Sequence, residues 1–399
     1  MDSNKARTAN LLFNIFIFYG ISFSAIDPLI PLLSEKLKIG YDKIGIILLI
    51  GSVFSLLSTY ISGRLCDKYN LKKIILSGLL ILFLGFLLFG IYLNLVIFII
   101  TLILFRLGQG ILDSSVHSYA SHLYYRKHSP AFIKLDFYWY IGAIVGPSII
   151  SLFLFLKFDP KYAFLIFSVI FMVILIFFYR ICPKENIMKF NSAEDYSTGE
   201  NKKSFSILKN PIIIISCAAL FFYLGILTGL SSWLTTYFTS LNISVSFGSI
   251  ILSFFWGFSA LGVFIIGKLI RKNNDITLLL FCCIISVICT ILYGFISVLY
   301  LKLLFLMLQA VFYAAFFPLL LSIAVHEDPQ HAGTISAYTI SVAITGSIIF
   351  QPLIGYLTQY IGKSSIIYVI MAAAIIEIVF ISVLFRLASK KYKIRFKII

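Results

Sequence analysis

Twelve long apolar runs succeed one another along this chain, each closed off by a short polar segment. They fall at residues 10–34, 44–66, 72–93, 95–123, 131–156, 162–181, 211–239, 245–270, 276–297, 299–324, 331–360 and 364–386. At about 1.5 Å of rise per helical residue, every run is long enough to cross a hydrocarbon layer of ~30 Å. The pattern predicts twelve transmembrane helices, numbered here as spans 1 to 12. The first run continues into Pro28 and Pro31, and no small-residue cleavage site follows its core, so it is read as span 1 and not as a signal peptide.

Composition agrees with a chain whose solvent is lipid. Of its 399 residues 60% are hydrophobic and only 12% charged, and the mean hydropathy is +1.02. No soluble core could enclose that much apolar surface, whereas a helical bundle can turn it toward acyl chains. The net charge of +16 would fit nucleic acid if it were spread over a surface, but most of the 32 Lys and Arg lie on one side of the spans. That bias sets orientation: both termini are expected in the cytoplasm of a plasma-membrane protein, with no nucleic-acid partner. Basic residues at the C-terminus, Lys390, Lys391, Lys393, Arg395 and Lys397, are placed to touch anionic head groups. The six cysteines stand at no metal-ligand spacing with His and read as small packing residues. No metal and no cofactor is expected.

The two halves repeat. Gly63-Arg64-Leu65-Cys66-Asp67-Lys68 after span 2 has a worn copy, Gly267-Lys268-Leu269-Ile270-Arg271-Lys272, after span 8. Gly142-x-x-x-Gly146-Pro147 in span 5 has a partner in span 11 from Gly346 through Pro352 and Gly355. The offsets, 204 residues (63 to 267) and 205 (147 to 352), nearly coincide. They predict duplicated six-helix bundles, 1–181 and 211–399, the second with a basic tail, joined by a polar cytoplasmic linker at 182–210. Repeats of this kind are expected to meet at a midplane cavity and rock about it.

GRLCDKYNLKK after span 2, RLGQG in span 4 and GAIVGP in span 5 together resemble the signature motifs of the major facilitator superfamily. The resemblance covers the whole chain, although Asn70 and Ile149-Ile150 stand where that family usually has glycines. It implies an all-α fold of twelve transmembrane helices in two pseudo-symmetric bundles, acting as a secondary transporter by alternating access and not as an enzyme. In this reading Gly63 lets two helices approach and Asp67 caps a turn, a hinge that can hold and release one conformation; a solvated basic loop is the plainer alternative. Gly142 and Gly146 stack at i, i+4 and permit close helix contact, and Pro147 bends span 5, as suits a gate.

Span 4 carries the most informative chemistry. Arg106, Gly110, Asp113 and His117 are spaced i, i+4, i+7, i+11 and form one stripe within about 60°. A charge at this depth costs several kcal/mol when unpartnered, so the stripe is expected to face a cavity or a partner and not lipid. Arg106 and Asp113 are about 10.5 Å apart along the axis, too far for an easy bridge. A carboxyl held from water beside a neutral His can keep a proton at neutral pH, and His117 could relay it. The alternatives are a structural network for Arg106 and a satisfied core histidine for His117. In span 1, Asp27 precedes Pro28, and Pro31 follows; the missing N–H groups leave the helix locally open beside a carboxylate. Simple hydration near the head groups is the competing reading. The acid three residues after Gly110, and Asp27 beside a proline, are similar to the fucose permease group of proton symporters. That resemblance implies proton coupling at Asp27 and Asp113. The group has Asn where His117 stands, and an acid after Tyr-x-Gly in span 7 where this chain has Ile226 and Leu227.

In span 5 Asp136 reads as hydrated, or paired with Lys134 or Arg126. The second half offers mainly neutral groups: Tyr223, Trp233, Tyr237, Trp256, Gln309 and Tyr338 are its candidate solute contacts, joined in the first half by Arg106. Trp233 and Tyr237, at i, i+4, fit a cavity floor or an interfacial belt. Span 12 is often peripheral in the fold the resemblance implies, so its Glu377 is not taken as a site residue. The resulting expectation is a monomeric carrier whose partners are protons, lipid and a small solute. Proton handling falls to the first half and solute recognition to the second. Import of a sugar-like solute is the first reading and proton-driven export of drugs or metabolites the alternative.

Overall fold

Hydrocarbon cannot hydrogen-bond a peptide group, so every apolar run has to satisfy its backbone internally, and each one is helical. The computed structural model describes residues 3–123, 128–182, 210–269, 275–328 and 331–392. Spans 2 to 6 are Tyr41–Lys68, Leu71–Ile91, Leu95–Leu123, His128–Phe155 and Lys161–Ile181. Spans 7 to 9 are Pro211–Thr239, Val245–Leu269 and Asp275–Phe295, and spans 11 and 12 are Ala332–Tyr360 and Ser365–Tyr392. Two spans are interrupted. Span 1 runs Ser3–Ser24, passes through a 3-10 turn at Asp27–Leu29 and resumes at Ile30–Leu37. Span 10 consists of Leu299–Tyr313 and Phe316–His326. Proline explains both breaks, since Pro28 and Pro31, and in span 10 Pro318, withhold the N–H that would close the preceding turn. Span 5 continues as helix through Pro147 and span 11 through Pro352. All twelve are apolar and long enough to cross a membrane, which makes the chain an integral membrane protein.

By internal contacts the chain forms two compact units, residues 1–196 with Leu234–Ser253, and residues 197–233 with 254–399. The end of span 7 and the start of span 8 therefore belong with the first unit. Hydrogen bonds supply a reason: Ser151 Oγ donates to the Ser246 carbonyl at 2.7 Å, and Ser148 Oγ to Ser253 Oγ at 3.0 Å. Inside the first unit span 1 packs on span 5, span 2 on span 4, and span 3 on spans 4 and 6. Inside the second, span 9 packs on spans 10 and 12.

Glycine decides how near these helices come. A Cβ at Gly142 would overlap the Ile17 carbonyl, and one at Gly146 would lie 2.6 Å from Ser24 Oγ. In the second unit a Cβ at Gly346 would overlap the Phe221 carbonyl. Both members of this contact lie 204 residues after their counterparts (142 to 346, 17 to 221), so the repeat extends to a single backbone contact. Gly63 differs from expectation. Nothing lies within 4 Å of a Cβ added there, so it is not a close-packing position; the glycine that seats span 4 on span 2 is Gly110, whose Cβ would strike Ser58 Oγ. The Asp67 side chain, residues 270–272 of the second copy of that motif, most of the linker (183–209) and the tail beyond Tyr392 lie outside the described residues.

Polar side chains mostly bond backbone, as a low-dielectric interior requires. Ser62 Oγ reaches the Gly110 carbonyl and Ser114 Oγ across spans 2 and 4. Buried Lys72 gives its ammonium to the Tyr179 and Cys182 carbonyls at the end of span 6, and buried Lys302 donates to the Tyr293 carbonyl at the end of span 9. Each places a cation on the negative end of a helix dipole.

Beyond span 10, Glu327 accepts hydrogen bonds from Asn210 Nδ2, Lys391 Nζ and Tyr392 Oη, each at 2.5 Å. Burial raises this carboxyl, but the three donors outweigh it and hold Glu327 below the ordinary glutamate range. A depressed carboxyl contributes stability that is present above its unfolded value and lost as pH falls through the folded one. Glu327→Gln should therefore lower the melting midpoint at neutral pH, and its difference from wild type should shrink as pH falls below the ordinary glutamate value and through the lower folded one. Thermal unfolding in detergent across pH measures this. For the helix contacts, Gly142→Leu and Gly346→Leu should each cost about 1–3 kcal/mol or prevent folding. Gly63→Ala should leave the midpoint unchanged or slightly raised.

Candidate functional site

The break in span 1 carries Asp27 into the protein. Its residue retains only 3% of its surface, so the hydrated alternative does not hold. Arg106 of span 4 lies within electrostatic reach of Asp27 and of Tyr19. Its guanidinium sits 5.2 Å from the Phe23 ring centroid and donates to Gln109 Oε1 at 3.2 Å. Gln109 Nε2 donates to Ser22 Oγ at 3.3 Å, and Ser22 Oγ to the Tyr19 carbonyl at 2.7 Å. A continuous polar chain thus runs from span 4 back into span 1. The aromatic face and the Gln109 acceptor are the partners that make a guanidinium tolerable at this depth.

Two turns along span 4 the second group begins. His117 Nδ1 is 2.8 Å from the Asp113 carbonyl and 3.6 Å from its Oδ1, and the imidazole stands edge-on to Phe16. The Asp113 side chain keeps 41% of its surface, so this carboxylate is half exposed and not buried as its place in an apolar run implied. Asp136 of span 5 lies within electrostatic reach of both Asp113 and His117, and Tyr19 within reach of Asp113, Arg106 and Asp136. The expected partner of Asp136, Lys134, instead lies over the Phe13 ring at 4.3 Å; Arg126 is outside the described residues. The first unit therefore collects Asp27, Arg106, Tyr19, Asp113, His117 and Asp136 along the facing sides of spans 1, 4 and 5. Exposure grows from Asp27 toward Asp136.

Sequence reasoning missed Tyr19, Ser22 and Gln109 and set Asp136 aside. A signal existed for Gln109, which follows Arg106 by three and shares its face. None existed for Tyr19, one aromatic among many. Of the second-half candidates, Trp233 and Trp256 are fully enclosed, Tyr223 and Gln309 are buried, and Tyr338 is exposed. Tyr237 is buried in the segment that joins the first unit, and the other five belong to the second. A cavity of about 850 Å³ opens among Leu33, Lys36, Tyr92, Lys157 and Asp159, at the opposite ends of these spans, and shares no residue with the polar chain. Among the described residues no three His, Cys, Asp or Glu stand together as a metal site.

The model of the Major Facilitator Superfamily matches residues 12–343, most of the chain. The protein belongs to that superfamily. No curated protein sequence matches it. Solved structures show the same fold. A bacterial homologue of the human lysosomal transporter Spinster, inward-facing and unoccupied, aligns over 100% of this chain and 99% of its own, with a TM-score of 0.74 at 11% identity. A point mutant of the nucleoside transporter NupG covers 96% and 100%, with a TM-score of 0.78 at 14% identity. The human organic anion transporter MFSD10 covers 94% and 99%, with a TM-score of 0.65 at 14% identity. At such identities the likeness speaks for architecture alone. Family and fold are those of membrane transporters, which implies a small-molecule solute and a lipid environment.

In this superfamily member the Arg106–Gln109–Ser22 chain can be tested without knowing a solute. Gln109→Leu removes an acceptor from a half-buried cation and should cost about 1.5–3 kcal/mol. Adding Arg106→Leu should not cost the sum of the two single changes, since both break one interaction. Unfolding midpoints of the two single mutants and the double mutant measure the coupling.

Proposed function

We propose that this protein is a proton-coupled secondary transporter of the plasma membrane that imports a small polar, sugar-like solute by alternating access, as a monomer with both termini in the cytoplasm. The observation that carries the reading is the graded string of ionisable groups in one bundle, from enclosed Asp27 through Arg106 and Tyr19 to half-exposed Asp113, His117 and Asp136. A carrier needs acids that reach water in one conformation and lose it in another. In this reading Asp113 takes a proton with His117 as its neighbour, Asp27 holds a second one beside Arg106, and the bundle of residues 211–399 recognises the solute through neutral and aromatic groups. Gly142, Gly146 and Pro147 supply the tightly seated gate helix, with Asp67 at the hinge of the span 2 loop and the linker at 182–210 joining the bundles.

Proton-driven export of drugs or metabolites is the second reading, and the observation in its favour is the seating of Gly142 and Gly146 against span 1 in the Gly-x-x-x-Gly-Pro stretch of span 5. Direction of flux separates the two. A thermal-shift screen of sugars, nucleosides and lipophilic cations finds a ligand; sealed proteoliposomes with an imposed inward proton gradient then report whether that ligand enters or leaves. Asp113→Asn should abolish gradient-driven accumulation while solute exchange at equal pH survives, and Asp27→Asn should show the same loss. Accumulation by Asp113→Asn equal to wild type under the same gradient would end the proton-coupling assignment.

A further inference from the structure

In the second unit a single acid lies deep among aromatic rings. Glu377 of span 12 keeps 1% of its surface. Tyr313 Oη lies 2.9 Å from Glu377 Oε2 and 3.3 Å from the Tyr223 carbonyl oxygen. The Tyr223 ring lies 4.9 Å from the Tyr313 ring, Phe316 packs on both, and Phe222 stacks on Phe380 one turn along span 12. Tyr313 is the last residue before the break in span 10, so this contact joins spans 7, 10 and 12 where span 10 has lost its own backbone ladder.

Counting protons decides the state of this acid. The Tyr313 hydroxyl has one proton, yet it faces two oxygens. The Tyr223 carbonyl can only accept, and an ionised carboxylate can only accept. With Glu377 ionised, one of the two contacts has no hydrogen in it. With Glu377 neutral, its own O–H donates to Tyr313 Oη, and Tyr313 donates to the Tyr223 carbonyl; both contacts are then hydrogen bonds. The other oxygen, Oε1, has no hydrogen-bond partner among the described residues. A bare carboxylate oxygen there would be far costlier than a carboxyl C=O. Among the described residues no cation is paired with it. Span 9 presents the Cys283 thiol, span 10 the Tyr313 phenol and span 7 the Tyr223 ring, none of them a cation, while Lys302 of span 10 is committed to the end of span 9.

We propose that Glu377 is a proton-binding site in the second bundle, holding its proton on Oε2 and using it to tie the break in span 10 to spans 7 and 12. When the proton leaves, two acceptors compete for one hydroxyl, one link opens, and the end of Leu299–Tyr313 is released from span 7 or from span 12. This assignment depends neither on the solute nor on the direction of transport, and it stands whether or not Asp113 couples protons.

Infrared difference spectroscopy on the purified full-length protein tests it. At neutral pH, wild type minus Glu377→Gln should contain a protonated-carboxyl C=O stretch. The amide of Gln can still donate to Tyr313, so this variant should fold with a wild-type midpoint. A difference spectrum containing the carboxylate stretches in place of the C=O band overturns the proposal. Should Glu377→Gln fail to fold, Tyr313→Phe is read instead: removing the acceptor should shift the same C=O band to higher frequency, and an unshifted band overturns the proposal equally.

Discussion

An apolar medium without hydrogen-bonding capacity is the constraint from which most of this structure follows. It forces each span into a helix, and it then dictates the fate of every polar side chain the helices carry. Serines bond back to carbonyls of their own or a crossing helix, as Ser62 does toward Gly110. Cations go to helix ends, where Lys72 and Lys302 meet unsatisfied carbonyls. Arg106, which is nowhere near an end, needs a ring face and a chain of two side chains leading to the Tyr19 carbonyl. These are solutions to one problem at different positions along a helix.

Lipid also removes the hydrophobic drive that would press helices together in water, so association rests on close packing and polar links. The contact of Gly142 with the Ile17 carbonyl and of Gly346 with the Phe221 carbonyl shows how conservatively the duplicated bundles solve this. At the next crossing they diverge. In the first bundle the glycine set against the other helix's backbone is on span 4 (Gly110 against the Ser55 carbonyl of span 2), and in the second it is on span 8 (Gly262 against the Val311 carbonyl of span 10). Either partner can supply the missing side chain, because what matters is the backbone distance and not which helix yields it.

The bundles part company in their charges. The first holds a graded series of acids with a cation among them; in the second, among the described residues, the acid enclosed within the spans, Glu377, has neutral neighbours. A cation lets acids ionise at depth, whereas Glu377 has only a phenol and a thiol for company. The two bundles thus place ionisable groups under different electrostatic rules, despite a shared scaffold, and superposing the repeats would not find one site from the other.

The chain order of apolar and polar residues was enough to read twelve helices, the break at Pro28 and the internal repeat, because span length, proline's missing donor and duplicated spacing are local properties. Asp27, Arg106, Asp113 and His117 were legible as rare charges in apolar runs. Their partners were not. Tyr19, Ser22 and Asp136 join them only because spans 1, 4 and 5 face one another, and nothing in a run of aromatics marks which one will. The half-exposed state of Asp113, the open space around Gly63, the break after Tyr313 and the enclosure of Glu377 were likewise decided by helix packing. Burial and hydrogen-bond partnership depend on residues distant in the chain, and one-dimensional periodicity carries a helix's phase but not its neighbour.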